Sequence, residues 1–242
     1  MRIAIIAALP GELKPLVKGW RRVATNDRGT KKWMLSRDAD TWIAVCAGMG
    51  ADAARRAYAN AALDGPLDML LSVGWAGSLD PMVVPGIAHV PTVVIDAQTG
   101  ERFSLTDGKR QWRLVTTARV ADAAEKKRLA ATYPGAVLVD MEAATVARLS
   151  DMHSIPFLCI KGVSDAAGAT LPDLNPFIDR KGQMRMGRFL AFIVVRPRYW
   201  PSLLHLGKNS ARAADAMRDL IVQFMKEKNV EKLIGTGSIQ PR

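Results

Sequence analysis

"AVLVDMEAATVARLSDM", residues 136–152, changes character at its centre. Ala136–Val139 is a short apolar run of the kind that forms a buried strand. From Ala143 onward, small and apolar residues recur at helical spacing. Asp140, Met141 and Glu142 sit at the joint, where a strand ends and a helix begins. Two roles stay open for these acids. Carboxylates near a helix N-terminus complement its dipole, for ~0.3–1 kcal/mol. Alternatively, they face a ligand.

The same alternation runs through the chain. "MRIAIIAAL" (1–9) reads as a first strand and "PGELKPLVKGW" (10–20) as a turn that can start a helix, with Glu12 just past the strand end. The short apolar run ends in Pro-Gly-Glu, unlike a signal peptide. "KKWMLSRDAD" and "TWIAVCAGMG" (31–50) read as a strand pair, and "ADAARRAYANAALD" (51–64) as an Ala-rich helix. "PLDMLLSVGWAGSLDP" (66–81) reads as a buried strand ending in a glycine loop, and "GIAHVPTVVI" (86–95) as another strand. Polar residues 97–113 suggest a loop or small hairpin, and "RLVTTARVA" (113–121) a strand. "DAAEKKRLAATYPG" (122–135) is a short helix with Asp122 as N-cap and Glu125 at N3, a capping-box start. "IPFLCIKGVSDAAG" (155–168) is a buried strand ending in Ser164-Asp165, and the last helix is expected over about 209–228.

Strands alternating with helices, several of them apolar throughout, mean a largely parallel sheet covered on both faces. Ligands of such sheets bind beyond the carboxyl ends of the strands. Five polar or glycine-rich features lie at those ends: Glu12, "GMG" (48–50), "GWAGS" (74–78), Asp140–Glu142 and Ser164-Asp165. Each alone is a weak signal, but together they form one expected pocket rim. The two glycine stretches could cradle a phosphate through backbone N–H groups. There is no GxxxxGK[ST] sequence, and "GMGADA" lacks the third glycine of a dinucleotide fingerprint.

Composition bounds the rest. The 242 residues fit one α/β domain, and no apolar run approaches the ~18 residues of a membrane span. Cys46 and Cys159 each lie in an apolar run, as buried thiols of a reducing cytoplasm do, and no metal-ligand spacing is present. Three histidines leave little for a His-based triad or a zinc site. The net charge of +11 fits an anionic partner or a generally basic surface. Without an RNA-binding motif, nucleic acid is not the expected partner. Residues 172–208 form a variable basic and apolar segment within a single domain spanning 1–242. Within it, 185–208 is either a helical hairpin packed on the core or an amphipathic segment at a membrane surface.

In their order, "AGMG" (47–50), "VGWAGSL" (73–79), "VDMEA" (139–143) and "GVSDAAG" (162–168) resemble the purine nucleoside phosphorylase and nucleosidase superfamily. The branch they resemble is the methylthioadenosine/S-adenosylhomocysteine nucleosidases, over about residues 1–168. "ADAAEKKRLAATYPGAVLVDME" (121–142) and the C-terminal third are similar to a narrower branch, the hopanoid-associated phosphorylase-like proteins. The resemblance implies a three-layer α/β/α fold around a twisted mixed sheet, with a C-terminal helical extension. It implies cleavage of a purine N-glycosidic bond with no cofactor and no metal. Glu142 would hold the ribose hydroxyls and Met141 would pack on the sugar. Asp165 would protonate purine N7 and Glu12 would activate water.

The chemistry is consistent with these roles. A leaving purine carries negative charge, so a positioned acid is worth ~10²–10⁴-fold, and a partly buried site can raise an Asp pKa enough to supply the proton. The ribose becomes cation-like, which carboxylates stabilise. Glu12 favours water over phosphate as the nucleophile, since a carboxylate repels a phosphate dianion. Lys161 is a candidate to bind an anion or to pair with Glu12, and Asp140 to tune the site or cap the helix. Gly74, Trp75 and Ser164 would line the pocket, Trp75 by narrowing it, by stacking or by plain packing. The 116–127 stretch lacks the aromatic that stacks on adenine in the nucleosidases, leaving Val163 or local backbone to bind the base. The narrower branch implies adenosylhopane, a nucleoside with a large 5′ lipid, as substrate. That would set a cytoplasmic enzyme against the inner membrane face, and family precedent implies a homodimer or larger. A phosphate-dependent phosphorylase and a non-catalytic nucleoside-binding protein are the alternatives.

Overall fold

The computed structural model describes residues 1–105 and 112–227. The chain opens with β1 (Arg2–Ala7), a one-turn α1 (Pro10–Leu13), β2 (Arg21–Val23), β3 (Lys31–Arg37), β4 (Asp40–Cys46), α2 (Ala51–Ala62) and β5 (Met69–Ser78). It continues through β6 (Ala88–His89), β7 (Val93–Asp96), β8 (Arg102–Ser104), β9 (Arg113–Thr116), α3 (Ala123–Thr132), β10 (Ala136–Asp140) and α4 (Ala143–Met152). The described part closes with β11 (Phe157–Asp165), α5 (Met186–Val194) and the long α6 (Trp200–Glu227).

Among the described residues all the strands join one mixed sheet ordered β2-β3-β4-β1-β5-β10-β9-β7-β8, with β11 branching from β5 and β6 pairing with β11. β5 is the hub. Parallel β1 and β11 flank most of its length, and antiparallel β10 takes over at its end, pairing Leu138 with Ser78 and Val139 with Gly77. The expected parallel pairing holds for β1–β4, β7–β9 and β9–β10, while β2, β3 and β8 add antiparallel edges.

The central strands are buried along nearly their whole length because both faces of the sheet are covered. Ile3 and Ile5 of β1 face Met217, Ile221 and Phe224 of α6. Ala4 and Ile6, one residue out of phase, face Ala54, Ala57 and Ala61 of α2. Strand alternation thus assigns each residue to one of two cores on opposite sides of the sheet.

Several boundaries differ from expectation, and the strand expected over 113–121 stops at Thr116. "GWAGS" is not a loop: it is the end of β5, held by β11 and β10 on either side. "GIAHVPTVVI" breaks into β6 and β7 around Pro91, which has no N–H for a ladder. The last helix starts at Trp200 rather than 209, because Pro201 is tolerated in a first helical turn. Its expected end at 228, and residues 106–111 of the expected 97–113 hairpin, lie outside the described residues. Asp122 caps α3 as expected, its side chain accepting from the Glu125 N–H at 2.8 Å.

Candidate active site

The carboxyl ends of β1, β5, β10 and β11 open into one cleft, lined among others by Glu12, Trp75, Met141, Glu142, Ser164 and Asp165. Each acid is held by groups from other elements that converge on the cleft as well as by its own. Glu12 is buried in α1, and its Oε2 accepts from the Ala8 and Leu9 N–H groups at 2.9 and 2.7 Å. Its Oε1 accepts from the Trp75 N–H at 2.8 Å. Burial pushes the Glu12 carboxyl above its ordinary range, against these three amides and the Lys161 charge. Gly74 makes room for it, since a Cβ there would sit 2.9 Å from Glu12 Oε1. Gly74→Ala should therefore displace the carboxylate and lower turnover roughly 10–100-fold. A thermal-melt comparison would separate that loss from unfolding.

Glu142 immediately precedes α4, and its Oε1 accepts from the Gly50 N–H at 2.7 Å. One amide of each glycine stretch, Gly50 and Trp75, therefore already serves a carboxylate. Burial first, then the Asp140 charge, push the Glu142 pKa up to about 8. An unfolded Glu142 loses its proton near 4.5, so between that value and about 8 the native state holds more protons than the unfolded one. Stability contributed by this group accordingly falls as pH rises through that window. Glu142→Gln should flatten this part of the profile, read as Tm measured from about pH 5 to about pH 8.

Asp140 is buried behind Glu142 at the start of α4. Its Oδ2 accepts from the Ala143 N–H at 2.9 Å, and its Oδ1 accepts from the Thr116 hydroxyl at 2.7 Å. Lys161 forms a fully buried ion pair with Asp140 at 2.8 Å, rather than pairing with Glu12. Burial works against the Lys161 ammonium, but Asp140 outweighs it, and its pKa lies above the ordinary value. Lys161 and Gly74 do not line the cleft.

At the far side, the Ser164 hydroxyl donates to Asp165 Oδ1 at 2.6 Å. Asp165 Oδ2 is in ion-pair contact with Lys126, a buried lysine of α3 that sequence reasoning missed. Lys126 Nζ also donates to the Ala166 carbonyl at 2.8 Å. Gly77 admits this pair, since a Cβ there would meet Lys126 Cε at 2.9 Å and Asp165 Oδ2 at 3.3 Å. The sequence offered Asp165 no charged partner; the structure gives it Lys126. No feature of the sequence singles Lys126 out, since it is one lysine of a helix that otherwise reads as surface.

Val163 is corrected. It is fully buried in the core with Val94 and Leu114, on the face of β11 opposite Ser164, and cannot touch a base. Arg119, Val120 and Ala121, of the stretch expected to supply backbone to the base, line the cleft. Val120 N–H donates to Asn175 Oδ1 at 3.0 Å, and Asn175 Nδ2 donates to the Val120 carbonyl at 3.1 Å. Trp75 packs beside Gly11, and its Nε1–H donates to the Ser210 carbonyl at 2.9 Å, tying α6 to the site. Asn175 belongs to a strap, residues 171–184, that crosses the cleft. Its other end is fixed by the Met49 N–H donating to the Gly182 carbonyl at 2.8 Å and by Gln183 Nε2 donating to the Ala47 carbonyl at 2.8 Å. Gly182 has φ +73°, and a Cβ there would sit 2.1 Å from the Met49 carbonyl oxygen, so only glycine fits. Leu171, Pro172, Leu174, Met184 and, from α6, Leu206 give this end of the cleft an apolar wall.

Cys46 and Cys159 are buried, and burial raises both thiols to about 12, away from any reactive role. Among the described residues, no group of three or more His, Cys, Asp or Glu side chains is placed to hold a metal ion.

Residues 113–195 match the family model described as the phosphorylase superfamily. No curated protein matches the sequence significantly. Among solved structures, the S-adenosylhomocysteine nucleosidase of Streptococcus pyogenes, in complex with 5-methylthiotubericidin, superposes with TM-score 0.69 at 15% identity, covering 95% of this chain and 98% of that one. The 5′-methylthioadenosine/S-adenosylhomocysteine nucleosidase of Helicobacter pylori gives 0.66 at 14%, covering 92% and 98%. Futalosine hydrolase of Helicobacter pylori gives the same values: 0.66, 14%, 92% and 98%. The chain has the nucleoside phosphorylase and nucleosidase fold, with α6 as its C-terminal helix.

Proposed function

We propose that this protein cleaves the N-glycosidic bond of a purine nucleoside, releasing adenine from a 5′-modified adenosine by hydrolysis. The observation that carries this is the meeting of Glu12, Glu142 and Asp165 in one cleft, each at the end of a different strand. Asp165 donates a proton to purine N7 as the C1′–N9 bond breaks and its electron pair goes to the base. Glu142 holds the ribose hydroxyls against Met141. Glu12 takes a proton from the water that attacks C1′, so the sugar leaves with a new hydroxyl. A raised pKa brings Glu12 closer to the range where a general base works best. Lys126, beside Asp165, supplies positive charge where the leaving base develops negative charge.

Water is favoured over phosphate because the Trp75 and Gly50 amides, the donors a phosphate would need, bind Glu12 and Glu142 instead. Phosphorolysis has one supporter, Arg119, exposed at the cleft. The apolar wall of Leu171, Leu174, Met184 and Leu206 suits a large apolar 5′ group, of which adenosylhopane is the extreme form. The test is to incubate the purified chain with 5′-methylthioadenosine and with a 5′-long-alkyl adenosine. Free adenine is expected, faster from the alkyl compound. Both nucleosides recovered intact would contradict the proposal.

A further inference from the structure

We propose that the segment from Arg180 to Ala214 is a docking surface for an anionic lipid bilayer, which it brings against the apolar end of the cleft. Two independent features meet there. The first is charge: these residues carry eight Lys and Arg and no Asp or Glu. The second is exposed apolar surface. Met186, Leu190 and Val194 recur every four residues along α5, which puts them on one face, and all three are more than half exposed. Val195, Trp200 and Leu204 extend the patch at 69%, 49% and 65% exposure.

The opposite face of α5 already has its partner. Phe189 and Phe192 pack on Phe177, with ring centroids 5.5 and 5.0 Å apart. A helix that is apolar on both its packed and its free face needs a second apolar environment. No described helix is long and apolar enough to cross a membrane. The environment is therefore an interface that α5 lies along, with exposed Arg185, Arg188, Arg198 and Lys208 reaching lipid headgroups. Trp200 has the amphipathic form suited to that depth, its Nε1–H donating to the Ile193 carbonyl at 3.0 Å.

A second copy of this chain is the poorer occupant. Two such faces would set eight cations against eight, with no acid in the segment to meet them. A nucleic acid would answer the charge but leave Val194, Val195 and Leu204 uncovered. The segment is also continuous with the cleft, since Met184 and Leu206, on either side of α5, both line it. Delivery of a lipid-like nucleoside from the bilayer rests on the proposed function; the docking itself does not.

The test is co-sedimentation of the full chain with phosphatidylcholine vesicles, with and without phosphatidylglycerol. Binding to the anionic vesicles is expected, weakening as salt is raised. The L190D/V194D double variant, altered only at exposed positions, should bind roughly tenfold more weakly. It should keep the wild-type melting temperature and unchanged activity on any water-soluble nucleoside the wild type cleaves. Absence of binding to anionic vesicles would overturn the proposal. So would a wild-type dimer in light scattering that L190D/V194D converts to monomer, or binding to single-stranded RNA with none to vesicles. Because sedimentation needs no turnover, a catalytically silent protein that binds vesicles would refute the proposed function and leave the docking surface standing.

Discussion

Asp165→Asn is expected to lower adenine release by roughly 10²–10⁴-fold, the worth of a positioned general acid. The substitution preserves shape, and its carbonyl can still accept from the Ser164 hydroxyl that now meets Oδ1 at 2.6 Å. What it removes is a carboxyl that can pass a proton to N7 and that, once ionised, balances the charge of Lys126. Lys126 is 3% exposed, so the single variant also leaves a buried ammonium without its carboxylate and should melt earlier. Pairing the change with Lys126→Met separates the two effects. The double variant should recover most of the melting temperature and none of the turnover. Recovery of turnover in the double variant would assign Asp165 to structure alone.

Glu12→Gln is expected to cost a similar ~10²–10⁴-fold in hydrolysis, as an amide cannot accept the proton of attacking water. Glu12 also accepts from three amides, so a Gln must turn its NH₂ toward at least one N–H donor. The expected signature is a fall in kcat with a smaller change in KM, since Glu12 acts on the water and Glu142 on the sugar. A rise in KM at unchanged kcat would make Glu12 a binding residue instead.

Much of the rim was legible because it follows from one rule. Glu12, Asp140–Glu142 and Ser164-Asp165 each stand directly after an apolar strand, and the strand ends of such a sheet converge on one side. Chain order could not give the strand phase at that rim. Val163 and Ser164 are adjacent, and pleating alone decides which faces the cleft and which the core. The glycines of "GWAGS" resembled a phosphate loop because glycine marks close approach as well as turns. Here they admit Glu12 and Lys126 beside a continuous strand. Lys126 was invisible for another reason. Its partner lies 39 positions along the chain, and nothing in a Lys- and Ala-rich helix marks one lysine as turned inward. The strap was hidden likewise, since its anchors at Val120, Met49 and Ala47 are contacts between distant segments.

The most direct measurement is adenine release from 5′-methylthioadenosine and a 5′-long-alkyl adenosine in phosphate-free buffer, repeated with phosphate added. Equal rates in both buffers, with the free sugar as the second product, are expected if Glu12 activates water in this cleft. Release that requires phosphate, with a sugar 1-phosphate as product, would contradict hydrolysis and make the carboxylate-held Trp75 and Gly50 amides the first thing to explain.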